Sequence, residues 1–433
     1  PTFYDYFGND HYNNDCEGDH PYSQLNGTDL LPEVLIGRIS IRSPGEMVII
    51  TNKIIHYEKA TYLGEMDGYY EKAALIGDPS SSGNSTMITN EYVGEILSAY
   101  GFEDVRTNLG EGNYSNWMRN QLAEGVLYFN YRGYLGVSGF GSADINAANN
   151  GYKLPFATVL TCGTGSFAED NACLSEAFLR AGSGSTPEGA VAAVSTATWN
   201  THTMFNNIVD MGMYDGLFPK ELETAGAALV NGKLALYSTF PGDPGNYVSS
   251  FTQWNNLMGD PSTHLFTDTP SVINANFEST IAFGTNYIEI DITDDSGNPI
   301  SDAMITLLKG DDEIFGSTYS NESGTAIIDL NYTSDGDVTV TITKRNHKPF
   351  IGDFNIYTSN VSVNIDTNAE LQISDGNNGE VNPGDIIELS IPLTNFGSET
   401  ANNLTATLIT TSELVEITTA DAICTDLEPG ESS

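Results

Sequence analysis

Short apolar runs that stop at glycine turns alternate with stretches of helical periodicity from Val34 to about Thr267. Val34-Leu-Ile-Gly-Arg-Ile-Ser40 reads as a short buried strand. Ser43-Pro-Gly-Glu46 then starts a helix, with Ser43 as N-cap and Pro44 in the first helical position. Met47, Ile50, Ile54 and Ile55 share one face of it on the way to about Tyr62. Lys72-Ala-Ala-Leu-Ile-Gly77 is the next strand, and Asp78-Pro-Ser-Ser-Ser-Gly83 follows at its carboxyl end. Asn90 is expected to cap a helix through Tyr100 that Gly101 closes. Val105-Arg-Thr107 is a short strand, and Asn113 to Glu124 a helix.

The stretch from Val126 to Thr203 organises the rest. A strand, Val126-Leu-Tyr-Phe-Asn130, breaks at Tyr131-Arg-Gly-Tyr-Leu-Gly136. A second, Leu154 to Leu160, delivers Cys162 onto the turn Thr161-Cys-Gly-Thr-Gly165. A short helix from Cys173 to Ala181 and a strand from Gly189 to Thr196 lead to Trp199-Asn-Thr-His202, and a long helical region follows from about Thr203 to Leu236. Strands alternating with helices predict a mainly parallel sheet flanked by helices. Such sheets place active sites at the carboxyl ends of their strands.

Beyond Pro270 the period changes to two, as in Tyr287-Ile-Glu-Ile-Asp-Ile292 and Val338-Thr-Val-Thr-Ile-Thr343, with turns such as Asp294-Asp-Ser-Gly-Asn-Pro299 between. That pattern predicts an all-β sandwich over 269–366, and a second, incomplete one over 367–433. The preceding part divides into 1–60, read as the end of a preceding α/β half-domain, and 61–268, the α/β domain proper.

Charge narrows the partners. Sixteen Lys and Arg stand against 58 Asp and Glu, a formal net charge of −42. So negative a surface repels nucleic acid and anionic lipid, attracts divalent cations, and suits a secreted or cell-surface protein. No apolar run is long enough to span a bilayer, so no membrane insertion is expected. Pro1 reads as the start of a processed piece of a longer secreted precursor. The acidic loop over residues 1–30 offers Asp10, Asp15 and Asp19 as ligands for a structural Ca²⁺, or is simply solvated. The cysteines at 16, 162, 173 and 424 form no disulfide framework, although one bridge, Cys162 to Cys173, is open.

Leu35-Ile-Gly-Arg-Ile39, His56-Tyr-Glu58, Phe129-Asn-Tyr-Arg-Gly133, Lys153-Leu-Pro-Phe156, Cys162, Cys173-Leu-Ser-Glu-Ala177 and Gly259-Asp-Pro-Ser262 follow one another in an order and spacing that resembles the gingipain family of secreted cysteine peptidases. The resemblance covers roughly residues 20 to 345. It implies a caspase-like α/β domain followed by an immunoglobulin-like β-sandwich. It also implies that Cys162 is the nucleophile and that Asp78 is the acid that orients the catalytic histidine. That histidine belongs in an Asn-Tyr-x-Gly-His-Gly turn, where this chain has Asn130-Tyr-Arg-Gly-Tyr-Leu-Gly136, so Tyr134 stands in its place. Met87 lies near the acidic selector of arginine-specific members, so that specificity does not carry over. The aromatic at the pocket lip falls on His202 or, with a short gap, on Trp199.

A thiol attacks as thiolate, and a neighbouring imidazole both favours that form and protonates the leaving amine. Tyrosine, with a reference pKa near 10, does neither well at neutral pH. Three readings of Cys162 stay open: a nucleophile with His202 as substitute base, a relic, or a small buried residue. Gly163 and Gly165, and Gly133 at the pocket, could line an oxyanion hole. Tyr134 could donate to a ligand or fill the pocket. The expectation is therefore a peptidase homologue that requires no cofactor and acts on an extracellular protein or peptide. The alternative is an inactive structural, adhesive or filament-forming protein that self-associates through its β domains.

Overall fold

The structure is a computed structural model that describes residues 4–5, 17–199, 202–311, 313–366, 369–374, 381–410, 412 and 414–433. Two compact units divide it, Pro1–Pro270 with Arg345–Lys348, and Ser271–Lys344 with Pro349–Ser433.

The first unit is built on six strands: β1 (Lys72–Gly77), β2 (Asp104–Leu109), β3 (Tyr128–Arg132), β4 (Phe156–Val159), β5 (Ala192–Thr196) and β6 (Asn255–Met258). Their order is β2-β1-β3-β4-β5-β6, and only β6 runs antiparallel to its neighbour. Both faces are covered, which is why these strands read as unbroken apolar runs. On β1, Ala73 and Leu75 face one core cluster while Ala74 and Ile76 face another. Along the chain lie α1 (Pro44–Glu58), α2 (Ser85–Ala99), α3 (Tyr114–Glu124), α4 (Ser142–Ile145), α5 (Leu174–Arg180), α6 (Thr203–Leu217), α7 (Ala225–Thr239) and α8 (Tyr247–Trp254).

Several expectations are corrected by long-range contacts. The helix expected to start at Asn90 starts at Ser85, because Asn90 is no cap. It is buried in mid-helix, and its amide donates to the Ile76 and Thr86 carbonyls at 2.9 and 3.0 Å. The region from Thr203 to Leu236 is two helices rather than one. Their axes approach closely because Gly212, Gly216 and Gly232 leave no side chain between them. Thr224 caps the second helix, accepting from Ala227 N at 3.3 Å. Val34–Ser40 makes no regular strand: its ladder contact is the single Arg38–Met258 bridge. On α1, Ile50 is fully buried while Met47 and Ile55 are 40% and 41% exposed. The inward position is held instead by Lys53, whose ammonium donates to the Phe178, Leu179 and Ala190 carbonyls at 3.0, 2.8 and 3.2 Å. Residues 17–60 are thereby part of the same unit as the sheet, not the end of a separate half-domain. Asp19 N adds a 2.9 Å bond to Asn256 Oδ1 on β6.

The second unit opens with a β-sandwich. One sheet joins β7 (Asn274–Asn276), β9 (Tyr287–Thr293) and β12 (Thr325–Asp329). The other orders β8 (Thr280–Ala282), β14 (Phe350–Tyr357), β13 (Gly336–Thr343), β10 (Met304–Lys309) and β11 (Ile314–Tyr319), in that sequence across the sheet. The period of two is visible on β9, where Ile288, Ile290 and Ile292 enter the core and Glu289 and Asp291 face solvent. After it come three two-stranded ladders: Val363–Ile365 with Leu393–Asn395, Gln372–Ser374 with Glu388–Ser390, and Thr405–Thr407 with Asp421–Ile423.

His20 supplies a test of the N-terminal packing. It is buried, with Nε2 2.8 Å from the Leu30 carbonyl and Nδ1 3.3 Å from Lys233 Nζ. Burial first, and then the Lys233 charge, pull its pKa from 6.5 down to about 3. A histidine depressed in the fold adds stability that is present above pH 6.5 and lost as pH falls toward 3. Urea unfolding from neutral pH to about pH 4.5 should therefore show His20→Gln losing less stability than the parent, by up to about 3 kcal/mol. Parallel pH profiles for the two would remove this role for His20.

Candidate active site

Two turns meet at the carboxyl edge of the sheet. The chain leaving β3 at Gly133 passes through Tyr134-Leu135-Gly136, and the chain leaving β4 passes through Thr161 and Cys162. Cys162 N donates to the Tyr134 carbonyl at 3.3 Å, and Gly136 N donates to the Cys162 carbonyl at 2.9 Å. Thr161 Oγ1 donates to the Gly136 carbonyl at 2.7 Å. Cys162 is therefore seated against the turn that carries Tyr134. The Tyr134 side chain, however, is 51% exposed. Gly133 is required here, because a side chain would collide with the Tyr131 hydroxyl.

Asp78 is buried beside this pair but serves other partners. Ser138 Oγ donates to its Oδ2, Ser80 N donates to Oδ1 at 2.9 Å, and the Tyr131 hydroxyl lies 2.6 Å from Ser138 Oγ. Burial, followed by the Asp78 charge, raises the pKa of the neighbouring Tyr114 phenol. Asp78 orders the turn that follows Tyr134.

The glycine N–H groups expected to form an oxyanion hole are also engaged. Gly163 N donates to the Thr198 carbonyl at 2.7 Å, and Gly165 N to the Thr196 carbonyl at 3.1 Å. The loop after Cys162 runs beside the extension of β5 and continues its hydrogen bonding. Gly163 has φ +71° and supports the Trp199 ring, which would lie 2.6 Å from any added Cβ. His202 is exposed and caps α6: its Nδ1 accepts from Met204 N at 3.3 Å, which leaves the ring proton on Nε2. The lone pair a general base needs is committed to the helix. Met87 packs beneath Gly77 at the end of β1, with its Cα 2.8 Å from where a Gly77 Cβ would lie. Each other described histidine is engaged elsewhere: His56 with Thr61, His264 with Glu223, and His347 with the Arg345 carbonyl.

No disulfide joins Cys162 and Cys173. Cys173 is the N-cap of α5, its N–H donating to Glu176 Oε2 at 2.9 Å, and burial pushes its thiol up to about 12. Of the expected Ca²⁺ ligands, Asp10 and Asp15 lie outside the described residues. Asp19 gives both oxygens to Arg38, one of them at 2.7 Å from Nε. Among the described residues no cluster of three His, Cys, Asp or Glu could hold a metal ion.

A cavity of about 230 Å³ opens beside the Cys162 turn, bounded by Gly136, Val137, Phe140, Gly163, Leu174 and Trp199. Its one charged lining residue is Glu169, whose Oε1 accepts from Trp199 Nε1 at 2.8 Å. Ser166 also lines it, with a buried hydroxyl that has no protein partner. Neither stood out in the sequence, where both sit in an irregular loop between two cysteines. Arg132 was overlooked as well, although one charged residue closing an apolar strand is a signal. Its guanidinium is wholly buried against α6, with Nε donating to Asn207 Oδ1 at 2.9 Å and Nη2 to the Thr203 carbonyl at 3.2 Å. Burial lowers its pKa to about 10, opposed by the charges of Asp210, Tyr131 and Cys162. Asp210, also fully buried, is raised by burial to about 6, with Arg132 and a 2.9 Å bond from Asn130 opposing.

A parallel α/β sheet with a buried cysteine at its carboxyl edge, followed by a β unit, defines a caspase-like peptidase scaffold. Residues 1–266 match the model of peptidase family C25, and the chain belongs to that family. Among curated relatives from Porphyromonas gingivalis, gingipain R1 is 25% identical over 355 residues, 78% of this chain and 34% of the relative. Lys-gingipain W83 is 26% identical over 364 residues, 76% of this chain and 20% of the relative. The chain thus spans about a third or less of their length. The crystal structure of the Arg-specific cysteine proteinase gingipain R superposes with a TM-score of 0.68 at 24% identity, covering 79% of this chain and 80% of that one.

The Gly163 turn is directly testable. Gly163→Ala imposes a left-handed φ on a side chain and pushes it into the Trp199 ring, so it should cost about 1–3 kcal/mol. Thermal unfolding and tryptophan fluorescence would register both effects, and an unshifted melt would show that the turn relaxes freely.

Proposed function

We propose that this protein is a secreted or cell-surface member of the C25 family whose Cys162 is retained as a thiol nucleophile but works without an imidazole base. The single observation carrying this reading is the turn pair itself: Cys162 is hydrogen-bonded through its backbone to the residue that stands where the histidine belongs, and that residue is Tyr134. The capping role of His202 supports it. Without a general base, turnover should sit several orders of magnitude below that of an intact dyad. The family relatives and the acidic composition support an extracellular site of action.

The substrate reading follows from the cavity. Relatives are named for arginine or lysine. Here Met87 gives no selector, but Glu169 offers a carboxylate in the cavity wall, and we propose peptides with a basic side chain as the substrate class. Fluorogenic peptides ending in Arg, Lys or Leu should be cleaved slowly, in a Cys162-dependent manner, with His202→Ala leaving the rate within about twofold. Glu169→Gln should reduce the preference for the basic peptides about tenfold or more. Turnover that survives Cys162→Ala would remove the peptidase reading, and loss of turnover in His202→Ala would restore an imidazole base.

The alternative is a silent homologue that assembles or adheres through its β unit. The feature in its favour is the edge strand β11, where Phe315 and Tyr319 are 74% and 64% exposed. Concentration-dependent association that Phe315→Lys abolishes would support it, and a strictly monomeric protein would dismiss it.

A further inference from the structure

The structure assigns Glu17, Arg38 and Arg42 as positioning residues for the cavity beside Cys162: from the N-terminal segment they hold the loop that presents Glu169. The inference rests on the reading of Glu169 as the group that selects a basic side chain, and one arm of its test needs no turnover.

Over 166–173 the chain makes neither helix nor strand. A loop without a ladder of its own takes its position from the groups that bond it. Three such ties reach it from residues 17–42. Glu17 is buried, and its Oε1 accepts from Ala168 N at 3.2 Å. The Arg38 guanidinium lies 4.5 Å from the centre of the Phe167 ring, a cation–π contact, while its Nε donates to Asp19 at 2.7 Å. Arg42 Nη2 donates to the Asp170 carbonyl at 2.9 Å. Phe167, Ala168 and Asp170 are thus tied, and they bracket Glu169 on both sides. Its own carboxylate is left to Trp199 Nε1 and the cavity wall.

The segment that supplies these ties is fixed independently of the loop. Gly18 runs so close to the Gln253 carbonyl that an added Cβ would lie 2.1 Å from its oxygen. Asp19 N donates to Asn256 Oδ1 on β6 at 2.9 Å. Arg38 joins β6 through its own backbone, its N–H donating to the Leu257 carbonyl at 2.9 Å and its carbonyl accepting from Gly259 N at 3.0 Å. Between the two arginines, the Ser40 carbonyl and hydroxyl each accept from Arg180 on α5 at 2.7 Å. The sheet and α5 therefore set the segment, and the segment sets the loop.

The consequence is for selectivity. A carboxylate discriminates between substrates in full only when it is held within about 0.5 Å of its productive place, with its supports ordered before the substrate arrives. Glu17, Arg38 and Arg42 provide that support through Phe167, Ala168 and Asp170, while the described cavity wall is built without them. They act on a bound side chain only through Glu169.

The test compares Arg42→Ala, Glu17→Ala and Glu17→Gln in the full chain. Arg42 is exposed, so its truncation spares the core. Glu17→Gln retains a side-chain oxygen for Ala168 N. Thr224→Ala, which loses the cap of α7, is the control for lost stability. Two quantities are read: the ratio of cleavage rates for fluorogenic peptides ending in Arg and in Leu, and acrylamide quenching of Trp199. The Trp199 signal is the difference between each protein and the same protein carrying Trp199→Phe. Arg42→Ala and Glu17→Ala should each lower the Arg-over-Leu ratio about threefold or more and raise the Trp199 quenching constant about twofold. Glu17→Gln and Thr224→Ala should keep both near the parent values. Unchanged ratio and quenching in the alanine variants would overturn the inference, as would an equal shift in Thr224→Ala. If Glu17→Ala does not fold, Arg42→Ala decides alone. Quenching that responds as stated in proteins that cleave neither peptide would uphold this inference and remove the peptidase reading instead.

Discussion

Two buried charges of opposite sign, each held by its own hydrogen bonds, fix the working edge of this molecule. Arg132 closes β3 and Asp210 lies in α6, and both are wholly out of water. They are not in ion-pair contact, but the charge of each opposes the burial cost of the other. Together with Asn130, Asn207 and the Thr203 carbonyl they tie the end of a central strand to the first turns of the helix that covers it. A second set, Asn206, Thr196 and Asn255, does the same between α6 and the β5–β6 edge. Such networks specify one register of helix on sheet, where apolar packing alone would accept several.

With α6 held in that register, the two glycine turns at the end of β3 and β4 are brought into backbone contact. Their hydrogen bonds, and the Ser138–Asp78 bond behind them, define a cleft edge with a cysteine, an exposed tyrosine and a cavity bearing one carboxylate. The N–H groups of the Cys162 loop are consumed by the continuation of β5. The site is thus the edge of a peptidase-family scaffold on which Cys162 and Tyr134 lie on adjoining turns and Asp78 orders the turn after Tyr134.

The β unit follows different physics. Its core is made by period-two strands, and the hydrogen-bonded ladders after residue 362 are short and leave Ile386, Ile409, Leu414 and Ile423 more than three quarters exposed. Those residues have no local sequence reason to lie outside. Among the described residues these ladders have two strands each, which leaves such side chains uncovered.

Sequence by itself determined much of this protein. Lys72–Gly77 was legible as a strand to the residue, because a strand covered on both faces is written as a continuous apolar run. The Cys162 turn was legible because glycine spacing and residue identity are local. Asn90 was misread, and the partners of His202 and Asp78 were not legible, for the opposite reason. A polar side chain carries no mark of whether it caps its own helix, bonds a neighbouring strand or waits for substrate. Asn90 is satisfied by the Ile76 carbonyl, His202 by Met204 N and Asp78 by Ser138, and the first and last of these partners are 14 and 60 residues away. Glu169 and Arg132 gained their settings only when Trp199 and α6 were folded against them. Periodicity fixed which elements exist, and the pairing of buried polar groups across the sheet decided what each side chain at its edge can do.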